Sequence, residues 1–184
     1  MNCIILHLSD LHLKKNLNPD DNKISSMIDC LKYELIDIDI LILVISGDIA
    51  HSGKTEEYAI SSQIIQTIKK EINFDINIIM CPGNHDCELD TDVNVREVII
   101  NSIIEAQAYT DDKVEFLLKA QNNFFNHYKN YEIEVLKRNK LNTIYTIKKG
   151  DDSILINSVN SAWMTRIPCE PGQIIINPEN FEIK

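Results

Sequence analysis

Residues 40–48 read ILILVISGD, in which six consecutive aliphatic side chains stop at Ser46-Gly47-Asp48. A short, isoleucine-rich run that ends in turn residues is typical of a buried strand. Residues 3–8 (CIILHL) and 76–81 (INIIMC) repeat this pattern, and polar or turn residues follow each of them. The sequence therefore predicts three buried strands in its first half.

The segments between these strands have helical periodicity. Apolar residues recur at spacings of three and four over residues 24–38, and again over residues 55–72. Strands that alternate with helices imply a parallel sheet, and the loops that leave its strands emerge at one edge. Ligands of such sheets bind at that carboxyl edge, so residues about forty positions apart are expected to meet there.

The three loops at this edge hold groups that bind metal ions. They are SDLH (residues 9–12), GD (residues 47–48) and PGNHD (residues 82–86). Asp10, His12 and Asp48 offer carboxylate and imidazole ligands, and Asn84 offers an amide oxygen. This set suits Mn²⁺, Fe, Zn²⁺ or Mg²⁺ rather than a thiophilic ion. Because a carboxylate such as Asp48 can bridge two cations roughly 3.5–4 Å apart, we predict metal-assisted hydrolysis.

The motifs SDLH, SGDIAHSG and PGNHD resemble, in order and spacing, the first three motifs of the calcineurin-like metallophosphoesterases. The resemblance implies an α/β fold with a β-sandwich flanked by helices. It also implies two divalent metal ions, with manganese the first choice. Asp10 and His12 would bind the first ion, Asp48 would bridge, and Asn84 would bind the second.

The resemblance further implies how such a protein acts. A hydroxide held between the two ions attacks a phosphomonoester or phosphodiester, and His85 stabilises the transition state or protonates the leaving oxygen. Asp86 supports the site from behind or shapes the turn. His51 lines the pocket or merely precedes the next helix. The expected substrates are phosphorylated small molecules or nucleotides.

The sequence also departs from the family pattern. Members usually add a further histidine and a Gly-His-x-His element, whereas this sequence has no histidine after His127. In one branch an Asp stands where His51 stands here and partners the catalytic histidine, so the partner of His85 is open. We expect residues 1–184 to be a single, incomplete domain. The alternative is a truncated or degenerate module that binds a partner or phosphorylated ligand without turnover.

Residues 91–140 are predicted to be a helical insertion, followed by strands at residues 143–148 and 153–159. The insertion could cap the cleft and help to choose the substrate. Its aromatic side chains either pack in the core or stack on a base. They are Phe124, Phe125, Tyr128 and Tyr131.

Composition limits the remaining choices. The formal net charge of −10 disfavours broad contact with a nucleic-acid backbone, although a nuclease substrate stays possible. Five cysteines without a CxxC pair favour reduced thiols, and no apolar run reaches membrane-spanning length. We therefore expect a cytoplasmic protein with no membrane partner. Its oligomeric state is left open.

Other hydrolase classes lack their sequence signatures. There is neither a GxxxxGK[ST] loop nor a GxSxG element, which disfavours P-loop nucleotide hydrolases and Ser-His-Asp hydrolases. A cysteine nucleophile, Cys81 or Cys87 with His85 nearby, is a remaining alternative.

Overall fold

The computed structural model describes residues 1–16, 21–89, 93–131 and 133–166. Its first half alternates strands with helices, as the periodicity predicts. The elements are β1 (Cys3–Leu8), α1 (Asp21–Glu34), β2 (Ile40–Ser46), α2 (Thr55–Ile72) and β3 (Ile76–Cys81).

The second half begins with a 3₁₀ turn, Asn84–Asp86, and continues through short helices to three strands. The helices are α3 (Val93–Ala106), α4 (Asp111–Leu118) and α5 (Asn122–Tyr128), and further 3₁₀ turns follow α4 and α5. The strands are β4 (Val135–Arg138), β5 (Asn142–Lys149) and β6 (Asp152–Val159).

The first sheet has the order β1-β2-β3, and both of its strand pairs are parallel. Strand β2 is central, and its residues Ile42 and Leu43 are 0% and 1% exposed. Two-sided burial explains why this run is aliphatic throughout rather than alternating with polar residues. The predicted parallel sheet is therefore confirmed.

A second, antiparallel sheet has the order β4-β5-β6. Tyr145 and Ile147 of β5 pack into the same hydrophobic core as β2 and β3. The later strands thus form a sheet of their own rather than extending the first one. The predicted α/β class with two sheets and flanking helices is confirmed.

Two predicted boundaries are wrong. Helix α1 ends at Glu34 and not at residue 38, and Asp37 has a φ of 59° in the turn that leads to β2. The helical stretch also ends before residue 140, because Val135–Arg138 forms β4 through pairing with β5. Residues 91 and 92, where the insertion was expected to begin, lie outside the described residues.

Two aromatic residues of α5, Phe124 and Tyr128, pack in the core, whereas Phe125 is only partly buried. Phe124 and Tyr128 are 1% and 7% exposed, and the Tyr128 hydroxyl donates to the Tyr145 hydroxyl at 2.6 Å. Side chains this deeply buried offer no face on which a base can stack. Within the ranges given above, no helix has the length and apolar character needed to cross a membrane.

His127 of α5 makes the stability of this fold sensitive to acid. Its ring stacks on Tyr58 with centroids 5.1 Å apart, and its Nε2 has no hydrogen-bond partner among the described residues. Burial lowers the pKa of His127 to about 4. Between pH 6.5 and that value the unfolded chain binds a proton that the folded chain does not, so stability falls as the pH falls.

From this pKa difference we expect His127 to lower the free energy of unfolding by about 2 kcal/mol when the pH falls from 7.5 to 5. Urea denaturation at both pH values measures it, with His127→Phe as the comparison because the variant keeps a flat ring and cannot titrate. The loss of unfolding free energy should be smaller by that amount in the variant. Equal losses in both proteins would contradict the assignment.

Candidate metal centre

The loops that follow β1 and β2 run side by side. The Asp10 amide donates to the Gly47 carbonyl at 3.2 Å, and the His12 amide donates to the Asp48 carbonyl at 2.9 Å. Leu13 continues this pairing with a parallel bridge to Ala50. Backbone hydrogen bonds therefore fix the first loop against the second, as the shared sheet edge predicts.

This pairing brings Asp10, His12 and Asp48 together. Their ligand atoms all lie within 4.8 Å of one another. Each of the three also has a positive φ, of 55°, 44° and 54° respectively. Non-glycine residues in this left-handed region are uncommon, and they cluster at functional sites because strain persists only where the surroundings impose it. The local backbone thus holds three candidate ligands in one place.

The third loop packs directly against Asp48. The His85 amide donates to Asp48 Oδ1 at 2.9 Å. Gly83 lies so close that a Cβ built on it would overlap the backbone nitrogen and carboxylate of Asp48. Only glycine permits this approach, which accounts for the glycine of the PGNHD motif. Asn84 follows Gly83 and lines the same cleft as Asp48.

The donor set fits a divalent cation. Two carboxylates and an imidazole lie within coordination reach of one another, and such mixed oxygen and nitrogen ligands suit Mn²⁺, Fe, Zn²⁺ or Mg²⁺. In addition, His12 Nδ1 is buried and has no hydrogen-bond partner among the described residues. An unsatisfied buried polar atom costs about 1–3 kcal/mol, and a ligand bound at this nitrogen would relieve that cost.

His85 has a partner that the sequence could not reveal. Its Nδ1 lies 2.8 Å from the backbone carbonyl oxygen of His51. Because a carbonyl only accepts, Nδ1 must carry the proton, and Nε2 is then the nitrogen available for chemistry. The ring meets His12 edge to face with centroids 4.5 Å apart.

His51 lies beside two of the candidate site residues, His12 and His85. Its ring is roughly parallel to that of His85, at 27° and 5.6 Å between centroids. The ring nitrogens of His12, His51 and His85 also lie within 4.8 Å of one another. His12 therefore belongs to two groups of candidate ligands, one with carboxylates and one with histidines alone.

Asp86 links the second loop to the third through hydrogen bonds of its buried carboxylate. Its carboxylate is 0% exposed and accepts the amides of Ile49, Ala50 and Gly83 at 3.2, 2.9 and 2.9 Å. The Tyr58 hydroxyl of α2 donates to the same carboxylate at 3.0 Å. Desolvation raises the pKa of Asp86, and the four hydrogen bonds oppose that shift. Asp86 thus supports the site without entering the cleft.

Comparison with known proteins places this geometry in a family. The model of the calcineurin-like phosphoesterases matches residues 4–181. This chain belongs to that family. The membership agrees with the mixed α/β fold and supports a metal-binding hydrolase of the phosphoesterase kind. The individual metal ligands and the role of His85 stay predictions.

Two curated proteins are similar to this chain. It is 29% identical over 181 residues to "Uncharacterized protein R555" of Acanthamoeba polyphaga mimivirus. It is 26% identical over 181 residues to "Uncharacterized metallophosphoesterase-like protein YydB" of Bacillus subtilis (strain 168). The alignments cover 97% and 92% of this chain but only 12% and 35% of those proteins. No solved structure matches the chain significantly.

The structure does not support the cysteine alternative. Burial raises the pKa of Cys81 and of Cys87 to about 11, so both thiols stay protonated near neutral pH. Cys81 Sγ donates to the Val159 carbonyl at 3.0 Å, which occupies its proton. A nucleophilic cysteine requires the thiolate, and neither residue provides it.

A cleft of about 350 Å³ adjoins the candidate ligand Asp48. Asp48, Gly83 and Asn84 line one part of it, and the segment after β6 lines another, with Thr165 and Arg166. Sequence reasoning did not assign a function to these last two residues. Nothing in the spacing of the motifs indicates them, because the second sheet brings them to the cleft.

Proposed function

We propose that this chain carries the metal-binding part of a phosphoesterase that hydrolyses a phosphomonoester or a phosphodiester. The observation that supports it most strongly is the convergence of Asp10, His12 and Asp48, whose ligand atoms lie within 4.8 Å of one another. His85 lies against this group, and the adjoining cleft is open to a ligand.

In this proposal Asp10, His12, Asp48 and Asn84 hold two divalent cations. Manganese is the first choice because the set mixes hard oxygen ligands with imidazole, and Fe, Zn²⁺ or Mg²⁺ would also fit it. Bound cations of this kind neutralise phosphate charge and lower the pKa of water. The substrate would be a phosphorylated small molecule or a nucleotide, which the cleft volume of about 350 Å³ can accept.

His85 is proposed to assist the leaving oxygen. The His51 carbonyl fixes the His85 tautomer and ring orientation through Nδ1. With Nδ1 engaged in this way, Nε2 is the atom that would donate a hydrogen bond or a proton to the substrate when the ring is doubly protonated. A histidine anchored by a backbone carbonyl keeps its orientation when neighbouring side chains change, because the anchor is part of the loop itself.

A second candidate function uses the same features. The candidate ligands and the adjoining cleft could bind a partner or a phosphorylated ligand without turning it over. The same cleft and the same side chains would then serve binding alone.

Hydrolysis of bis(p-nitrophenyl) phosphate in Mn²⁺ by wild type and by His85→Ala separates these functions. We expect the variant to lose about a hundredfold to a thousandfold in kcat while it keeps its bound metal, because a preorganised hydrogen bond to the charged transition state is lost. His7→Gln is the matched control. His7 is exposed on β1 and bonds to Ser46 Oγ at 2.6 Å.

Three outcomes count against the proposal. Equal turnover by wild type and His85→Ala would remove His85 from the reaction. Loss of bound metal in His85→Ala would make His85 a ligand instead. Folded wild type that binds inorganic phosphate but never turns over the diester would favour the binding module.

A further inference from the structure

Arg166 brings a positive charge to the cleft. It lines the same cavity as Asp48 and Asn84, and its side chain is 14% exposed. One terminal nitrogen donates to Glu97 Oε1 at 2.8 Å and to Asn101 Oδ1 at 3.3 Å. Both acceptors belong to α3, so the helical insertion holds this guanidinium.

The same helix also fixes the backbone that leads to Arg166. Arg96 is 5% exposed, and its Nε and a terminal nitrogen donate to the carbonyls of Thr165 and Trp163 at 2.6 and 2.8 Å. The other terminal nitrogen donates to the Leu117 carbonyl of α4 at 2.7 Å. Charge-assisted hydrogen bonds of this kind are among the stronger ones in proteins. Arg96 and Glu97, adjacent in sequence, therefore preorganise one wall of the cleft.

The chemistry of a guanidinium indicates what this wall receives. Its planar set of five N–H donors matches the oxygens of a phosphate or carboxylate, and it stays charged at every physiological pH. The chain as a whole is acidic, with 28 Asp and Glu against 18 Lys and Arg. Glu97 and Asn101 contact only one terminal nitrogen of Arg166, so the other N–H donors of the guanidinium can bind an anionic ligand at the cleft.

We propose that Arg166 is a substrate-binding residue that recognises a phosphate oxygen of a small phosphorylated substrate, and that α3 positions it. This inference rests on the proposed function, since it assigns the substrate to the cleft beside the candidate metal ligands. The volume of about 350 Å³ lies near the lower end of ligand sites, which favours a small molecule.

Steady-state kinetics with bis(p-nitrophenyl) phosphate in Mn²⁺, with inorganic phosphate as inhibitor, test the role. Arg166→Gln is expected to raise KM and the phosphate inhibition constant about tenfold or more, with kcat within about threefold, because a hydrogen bond to a charged group is lost. Arg166→Lys should recover part of the affinity, since lysine keeps the positive charge but lacks the planar set of N–H donors.

Lys32→Gln is the matched control. It removes the same charge and breaks an exposed ion pair with Glu71, on α1 and apart from the residues that line the cleft. We expect its KM to stay within about threefold of wild type. Thermal unfolding of all variants shows whether each is folded. Equal rises of KM in Arg166→Gln and Lys32→Gln would overturn the inference, because the loss of any one positive charge would then explain the effect.

The inference and the proposed function fail separately. If wild type turns over the diester and Arg166→Gln leaves KM and phosphate inhibition unchanged, only the inference fails. If wild type never turns over the diester, calorimetry of inorganic phosphate with the Mn²⁺-loaded chain decides: weaker binding by Arg166→Gln upholds the inference. No binding of phosphate by wild type, or equal binding by both, overturns it.

Discussion

Asp48→Asn is expected to reduce Mn²⁺-dependent turnover of bis(p-nitrophenyl) phosphate by at least about a hundredfold and to lower the metal content of the chain. The ligand atoms of Asp48, Asp10 and His12 lie within 4.8 Å of one another, so the change removes a negative charge from the centre of the candidate site. Asparagine tolerates the left-handed backbone that Asp48 adopts at φ 54°. The variant should therefore fold, and its lower turnover should come from the missing carboxylate rather than from unfolding.

Asp29→Asn is the matched control for this prediction. Asp29 is an exposed residue of α1, and its substitution removes the same charge from the chain. We expect turnover and metal content like those of wild type. Metal analysis after dialysis and initial rates on the same preparations provide both readouts. Unchanged metal content in Asp48→Asn would show that Asp48 is not a ligand, whatever happens to the rate.

Asp86→Asn is expected to lower the free energy of unfolding by about 2–4 kcal/mol, since it leaves buried donors without an acceptor. The carboxylate accepts three backbone amides and the Tyr58 hydroxyl. The asparagine side chain has the same shape but only one acceptor oxygen. Its NH₂ group would face at least one backbone amide, and two donors cannot form a hydrogen bond with each other. Turnover should fall too, because the second and third loops would no longer be held together.

Tyr58→Phe provides the comparison, since it removes one donor to Asp86 and leaves the three amide bonds in place. A loss of about 1.5–3 kcal/mol is expected, because the single donor that is removed bonds to a charged carboxylate. Urea denaturation at pH 7.5 measures both variants. If Asp86→Asn instead proved as stable as wild type or more so, the desolvation that raises the pKa of Asp86 would outweigh its hydrogen bonds.

Local sequence pattern was enough to predict much of the first sheet. The bounds of β1, α2 and β3 coincide with the predicted ones, because their apolar runs and helical spacing are complete within each segment. Strand β4 was not predictable in this way. Val135–Arg138 is only four residues long, and its extended state depends on pairing with β5, a contact that no local window contains.

In the candidate site, too, some features follow from the sequence pattern and others depend on tertiary contacts. Convergence of Asp10, His12 and Asp48 follows from strand order, because parallel strands deliver their loops to one edge. The partner of His85 did not follow, since it is a backbone carbonyl and any residue type could supply it. Arg166 was missed because it reaches the cleft through the second sheet and α3.

Anomalous diffraction from crystals of this chain grown with Mn²⁺ tests the central claim most directly. The account predicts a manganese peak coordinated by Asp10, His12 and Asp48, the group whose ligand atoms lie within 4.8 Å of one another. A peak held by His12, His51 and His85 with Asp48 uncoordinated, or no peak at either group, would contradict it.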